Sequence, residues 1–331
     1  MSELVETPLS QQTELGKKEI FSDDVCFEII SYIENPKFIL YKCSLISKQF
    51  LNVINERAKL SIEFKNITDS KFNAVRKSQF LESFTSLKFI SVEEVFDIKY
   101  LELVGLMRNL TKLCVGGNEI GLQGAKIVSE FKQLTSLYID SSQIGTEGAK
   151  LISGMTKLTE LDISANYLCA EGAKSISGMD HLTFLNISSS NIDQEGIKSI
   201  SEMKNLTKLD ICGNNLGAEG AKSISQMKQL TYLKAYTNSL RSEGAIFISE
   251  LDKLTTLNIC YNEIGDEGAK AISQMPNLTD LRIDGNRIGP EGAKSISEMK
   301  QLRLLDISFN RIGEEGVKYV KGMKHLTRLL H

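Results

Sequence analysis

Catalysis needs nucleophiles, acid–base groups or metal ligands at useful spacing, and this 331-residue sequence offers few. It has only three histidines, His181, His325 and His331, and its six cysteines follow no metal-ligand pattern. No G-x-S-x-G, Walker A, H-E-x-x-H or C-x-x-C occurs, so nucleophilic, phosphate-cradling and zinc chemistry lack their usual frames. The expectation is a non-catalytic chain with no cofactor and no metal. A formal net charge of -3 argues against a nucleic-acid surface or an anionic membrane as partner. No apolar run approaches the ~18 residues of a membrane helix, and polar Met1–Lys18, with Glu3, Glu6 and Glu14, does not read as a secretory signal. What remains is the chemistry of contact. Aromatic rings and charges that could seat another protein stand at Tyr138, Asp162, Phe184, Asp210, Tyr232, Lys234, Tyr236, Tyr261 and Asp284.

The frame that would hold these side chains on one surface is a 24-residue period. Leucines stand at 110, 134, 158, 182, 206, 230, 254, 278, 302 and 326, with no insertion between them. A second leucine follows three residues later each time, and the copy Leu254–Asn277 reads LTTLNICYNEIGDEGAKAISQMPN. Alternation in the first half, as in Leu257, Asn258 and Ile259, predicts a short strand with one face buried. Asn262 and its counterparts then leave the strand, where an amide can satisfy backbone groups of the neighbouring coil. Ser142 and Ser190 replace it in two copies, predicting a weaker ladder there. Ala269, Ile272 and Met275 form a helical stripe that can face a core. A glycine occupies one place in all nine complete copies, Gly124 to Gly316, which predicts a close approach or an unusual backbone angle.

The third, fifth and seventh residues of each copy are expected to point outward on one sheet. They include most of the contact residues named above, while Tyr261 and Phe309 sit one place further on. Cys114, Cys212 and Cys260 fall on the same outward places, and the expectation is small surface residues rather than nucleophiles, with no histidine on that face. Cys212 and Cys260, two copies apart, would be roughly 10 Å from each other, too far for a disulfide. Free thiols imply a reducing compartment, cytoplasmic or nuclear, or a host cytosol if the chain is a bacterial effector. The copy Leu230–Lys253 departs most from the others, with Ala235, Arg241, Ile246 and Phe247 at unusual places.

The L-x-x-L-x-L-x-x-N-x-L frame matches leucine-rich repeats, and its G-A-K-x-I-S segment resembles the GALA type near the ribonuclease-inhibitor-like class. The resemblance implies an α/β solenoid, with a curved parallel sheet on the concave side and short helices on the convex side. The expected organisation is a flexible stretch at 1–18, a helical segment at 19–57, divergent capping copies at 58–109 and repeats at 110–331. Leu60–Phe64 and Phe84–Phe89 would be the worn strands of the caps.

Residues 20–56 carry Ser22 as a helix cap, the stripe Val25, Ile29, Ile30 and Ile33, a break at Asn35-Pro36, and a second apolar face with Leu45 and Phe50. Glu28–Ile33 and the S-x-x-S-K-x-F element Ser44–Phe50 resemble an F-box, although Phe21-Ser22 stands where that family has Leu-Pro. The resemblance implies docking to a Skp-type adaptor and its cullin complex through Phe21, Val25, Ile29, Ile30, Ile33, Leu45 and Phe50. The function it points to is substrate recognition for an SCF-type ubiquitin ligase, with substrate on the concave face. The alternative is a repeat scaffold or GTPase-regulator-like protein whose N-terminal helices are only a cap.

Overall fold

A computed structural model describes residues 60–77, 81–90 and 96–331. Its twelve strands form one parallel sheet in strict sequence order, from Leu60–Lys65 to Arg328–Leu330. From Lys112–Cys114 onward each strand is three residues long and pairs residue n with residue n+24, as Leu209 with Leu233 and Leu233 with Leu257. This constant register is the direct product of an insertion-free period: each coil meets the next with its inward leucines aligned. A short helix follows each of these strands up to Leu304–Asp306, for example Gly265–Ile272, and packs beside the helices of the adjacent coils.

Each coil contributes one layer to a continuous core. In the copy starting at Leu254 the layer is made by Leu254, Leu257, Ile259, Ile264, Ala269, Ile272 and Met275, all buried. Burying each large aliphatic side chain contributes about 1.5–3 kcal/mol, and no coil could do so alone. The helix itself ends at Ile272, so Met275 closes the layer from the turn that follows rather than from the helical stripe.

The first coils differ. Leu60–Lys65 and Phe84–Ile90 are longer strands with a register shift between Leu60 and Ser61. Beneath them an aromatic cluster replaces the leucine layers. Phe64 stacks on Phe89 at 5.7 Å, Phe89 meets Phe96 edge-on at 5.1 Å, and Tyr100 joins Phe96 and Phe72. Asp69 anchors the outside, accepting from the Tyr100 hydroxyl at 2.9 Å and from Lys99 at 2.8 Å.

Three hydrogen-bond ladders stitch the coils together. In the fully formed rung, Asn262 is buried and spans two coils. Its Nδ2 donates to the carbonyls of Ala235, Ile259 and Cys260, and its Oδ1 accepts from the amides of Asn238 and Leu240. Ser142 and Ser190 instead donate to carbonyls of their own coil, Asp140 and Ser188, both at 3.0 Å, as expected of a side chain too short to bridge. The second ladder is made by threonines in the second place of each copy. Each hydroxyl donates to the carbonyl of the threonine one coil earlier, as Thr255 to Thr231 at 3.1 Å, until Arg303 interrupts the column. The third lies on the opposite edge, where Asn205, Gln229, Asn277, Gln301 and His325 each bond a carbonyl in the preceding turn.

The recurrent glycine is explained by close approach, not by backbone angle. A Cβ on Gly268 would lie 2.8 Å from Ile264 Cβ and 2.9 Å from Ala245 Cβ of the preceding coil. The unusual angles occur earlier, where the chain leaves the strand: the eighth place of all nine copies, from Gly117 to Phe309, has φ between 49° and 71°.

Candidate protein-binding face

The strands hold Tyr138, Asp162, Phe184, Asp210, Tyr232 and Lys234 on their outward positions, all half-buried. Tyr236, Tyr261 and Asp284 lie just past their strands, in the turn towards the helices. The nine residues therefore share one side of the solenoid but not one contact patch. Tyr138 is five coils from Tyr261, roughly 24 Å along the sheet.

A polar network runs across the middle of the face. Asn186 Nδ2 donates to Asp162 Oδ2 at 2.9 Å, the Ser188 hydroxyl reaches Asp210 Oδ1 at 2.6 Å, and Lys234 pairs with Asp210 Oδ2 at 3.5 Å. Lys234 also sits over the Tyr232 ring, 5.6 Å from its centre. Hydrogen bonding to Tyr232 and the nearby Asp210 raise the lysine's affinity for its proton, so it stays charged. Four coils before Tyr232, the Tyr138 hydroxyl donates to Glu160 at 2.9 Å and Lys112 lies 4.7 Å from the Tyr138 ring centre. Burial first, and the Glu160 bond second, push the Tyr138 phenol up to about 12, so it acts as a neutral donor. Asp140 is held above the ordinary carboxylate range, mainly by burial and then by Asp162.

These interactions pre-set side chains before any partner arrives, which lowers the ordering cost of binding. The least engaged rings are elsewhere: exposure is 43% for Tyr236, 53% for Tyr261, 66% for Tyr167 and 81% for Phe309. Tyr167, on the tenth place of its copy, is one that outward strand positions could not have flagged.

The cysteine expectation needs correction. Cys114 is half-exposed, but Cys212 and Cys260 are buried, not surface residues. The seventh place still reaches solvent when its side chain is long, as with Tyr236, but the short thiols there are covered by their neighbours. Cys212 is covered beside Asp210 and Tyr236, and the Cys260 thiol donates to Asp284 Oδ1. Burial, followed by the adjacent carboxylates, pushes both thiols well above their ordinary value, which removes them as nucleophiles.

Among the described residues no group of three or more His, Cys, Asp or Glu side chains could hold a metal, and no helix is long and apolar enough to cross a membrane. Phe21, Val25, Ile29, Ile30, Ile33, Leu45 and Phe50 lie outside the described residues.

A one-sheet solenoid with a pre-ordered polar and aromatic face defines a binding scaffold of repeat type. Comparison gives the family: a model described as a leucine-rich repeat region matches residues 66–292, and a second, leucine-rich repeat, matches 300–320. The chain belongs to the leucine-rich-repeat family and is a protein-interaction module. Among solved structures, an internalin from Listeria monocytogenes is similar at 17% identity and a TM-score of 0.58, covering 88% of this chain and 93% of that one. At that identity the likeness shows the shared fold. No curated protein matches the sequence.

Proposed function

We propose that the chain is the substrate-recognition subunit of a cullin–RING ubiquitin ligase. In this reading residues 19–57 dock a Skp-type adaptor and the repeat face holds the protein to be modified. The observation that carries the substrate half is the pre-ordered face: Tyr232, Lys234 and Asp210 interlocked on adjacent strands, with Tyr236 exposed beside them. Rigid aromatics flanked by charge are favoured anchors of protein interfaces. The adaptor half rests on the sequence of Glu28–Ile33 and Ser44–Phe50. Ubiquitin transfer would be done by partners, which agrees with a chain that has no catalytic motif.

The test is a pull-down with purified Skp-type adaptor. The full chain is expected to retain adaptor, and Ile29→Asp with Ile33→Asp is expected to lose it while the repeat domain melts as before. A full chain that retains no adaptor sinks the ligase reading and leaves a repeat scaffold. On the substrate side, Tyr232→Ala with Tyr236→Ala should cost several kcal/mol of partner affinity.

A further inference from the structure

We infer that the seam between the copies Leu182–Asn205 and Leu206–Gln229 is a hinge, stitched on the sheet side and wedged open on the helix side, through which the binding face changes its curvature between Phe184 and Tyr232. This rests on the protein-binding reading above and adds a regulation of that same face.

The first observation is a missing stitch. At six of the eight seams between complete copies, the amide of the twelfth residue donates to the carbonyl of the ninth residue in the next copy at 2.9–3.1 Å, as Gly217 to Asn238. Asp193 makes no such bond to Asn214. The cause is local. Asp193 caps the helix Gln194–Ser201, its carboxylate accepting from the Gly196 amide at 2.9 Å. A cap residue of this kind is extended, and its φ is -96° where the six bonded copies have 55–64°. That turns its amide away from Asn214.

The second observation is a spread of the helices. From Gly172 to Gly316, a Cβ on the recurrent glycine would lie 2.9–3.5 Å from the Cβ of an alanine one copy earlier, with one exception. At Gly220 no atom of the preceding copy comes closer than 3.6 Å. The residue opposite it is Ile197, where seven other copies have alanine. The isoleucine is fully buried, and its branched side chain needs depth between the two helices that a methyl does not. Both departures open onto one cleft of about 530 Å³, lined by Asn191, Asp193, Glu195, Asn214 and Asn215.

The last of the eight seams shows that a lost stitch alone does not part the helices. Gly289, held extended before Pro290, also lacks the bond. Its amide is taken instead by Asp266 of the preceding copy at 2.6 Å, and the next glycine keeps its close approach, Gly316 to Ala293 at 3.1 Å. Where Asp266 stands, the copy before Asp193 has Ala170, which offers no acceptor.

The sheet side of the hinge holds. Leu185 pairs with Leu209 in register, the Thr207 hydroxyl donates to the Thr183 carbonyl at 3.2 Å, and Asn214 donates to Ile187 O at 3.0 Å and accepts from Ser190 N at 3.1 Å. A seam fixed along one side and open along the other pivots about the fixed side. Parting the helices further would tighten the concave face, and closing them would flatten it. Either motion changes the separation of Phe184 and Tyr232, which lie on opposite sides of the seam, two strand spacings or roughly 10 Å apart at the backbone.

Nitroxides carried on ketone-bearing residues, which leave the cysteines untouched, report this motion by double electron–electron resonance on the full chain. One pair replaces Lys174 and Lys270 and spans the seam. A control pair replaces Lys222 and Lys318, also four copies apart, and does not span it; all four lysines are exposed. The first pair is expected to give the broader distance distribution. Asp193→Gly with Ile197→Ala, which gives this copy the residues of its neighbours, is expected to narrow it to the width of the control. Asp193→Gly alone removes no buried group and should narrow it part of the way, which decides the matter if the double variant does not fold. Equal widths for the two pairs in the otherwise wild-type chain, or a width that neither variant changes, overturns the inference. No partner takes part in the measurement, so that result would leave the protein-binding reading standing.

Discussion

Cutting Asn262 back to alanine should open one seam of the solenoid and leave the rest intact. The side chain is fully buried and accepts from the amides of Asn238 at 2.9 Å and Leu240 at 3.3 Å. Two of the three carbonyls it serves keep other partners, since Cys260 O also accepts from Thr237 N at 3.0 Å and Ile259 O from Asn286 Nδ2 at 2.9 Å. The two stranded amides therefore set the scale. At about 1–3 kcal/mol for each buried donor left without a partner, the loss is roughly 2–6 kcal/mol, centred near 4. Asn262→Ser should lose nearly as much, because the natural serines at 142 and 190 bond within their own coil. Hydrogen exchange is the sharpest assay. The Asn238 and Leu240 amides should exchange on the order of 10³ times faster, the equivalent of about 4 kcal/mol. The Ser142 and Ile144 amides, held by Asn166 four copies away, should not change. A total loss below about 1 kcal/mol, or equal acceleration of all four amides, would refute the bridging role assigned to this side chain.

Other substitutions probe neighbouring features. Gly268→Val forces carbon into space bounded by Ile264 and Ala245 and should cost at least about 1–3 kcal/mol in a thermal melt; a melt within a degree or two of wild type removes the close-approach account. Ser190→Asn should extend the amide ladder and add about 1 kcal/mol in a urea titration, whereas a loss would mean that the coil spacing there has adapted to serine. Asp140→Asn should raise the melting temperature at neutral pH. Its folded carboxyl lies above the ordinary range, so the folded state binds the proton better than the unfolded one, and stability falls as pH rises through that window. The gain from asparagine should vanish below about pH 3, where both states of the aspartate are protonated; a gain that persists there would point to a packing effect instead.

The fold was open to a reader of the sequence because its cause is periodic. Leucines at fixed places, an amide after each strand and an invariant glycine state the coil, its stitching and its tightest contact. The mechanism of the glycine was only half legible, since spacing alone does not separate a close approach from a left-handed angle. The buried state of Cys212 and Cys260 was hidden for a related reason: alternation gives the side of the sheet but not whether neighbours such as Asp210 and Asp284 cover a short side chain there, while Tyr236 at the same place stays exposed. The left-handed positions left little trace, because the residues filling them include Thr237, Tyr261 and Phe309 rather than glycine alone. The threonine and edge ladders did leave a signal, in the recurrent threonine at the second place and the Asn, Gln or His at the last, but one that reads equally well as solvent-facing polarity. The chosen face residues were placed on a common side, yet which of them remain unengaged depends on cross-coil partners such as Glu160 and Asp210, which spacing does not rank.

The constant register has a mechanical consequence. Backbone bonds between coils run along the solenoid axis, so a pull on its two ends loads the rungs in series rather than sharing the load in parallel. Such a body should extend as a soft spring under small forces and then peel coil by coil. Each released copy would add about 80 Å of slack, the reach of 24 extended residues. The serine-bearing coils, whose hydroxyls do not cross the seam, should part first, so the sequence of the stitching also sets the order in which tension would undo it.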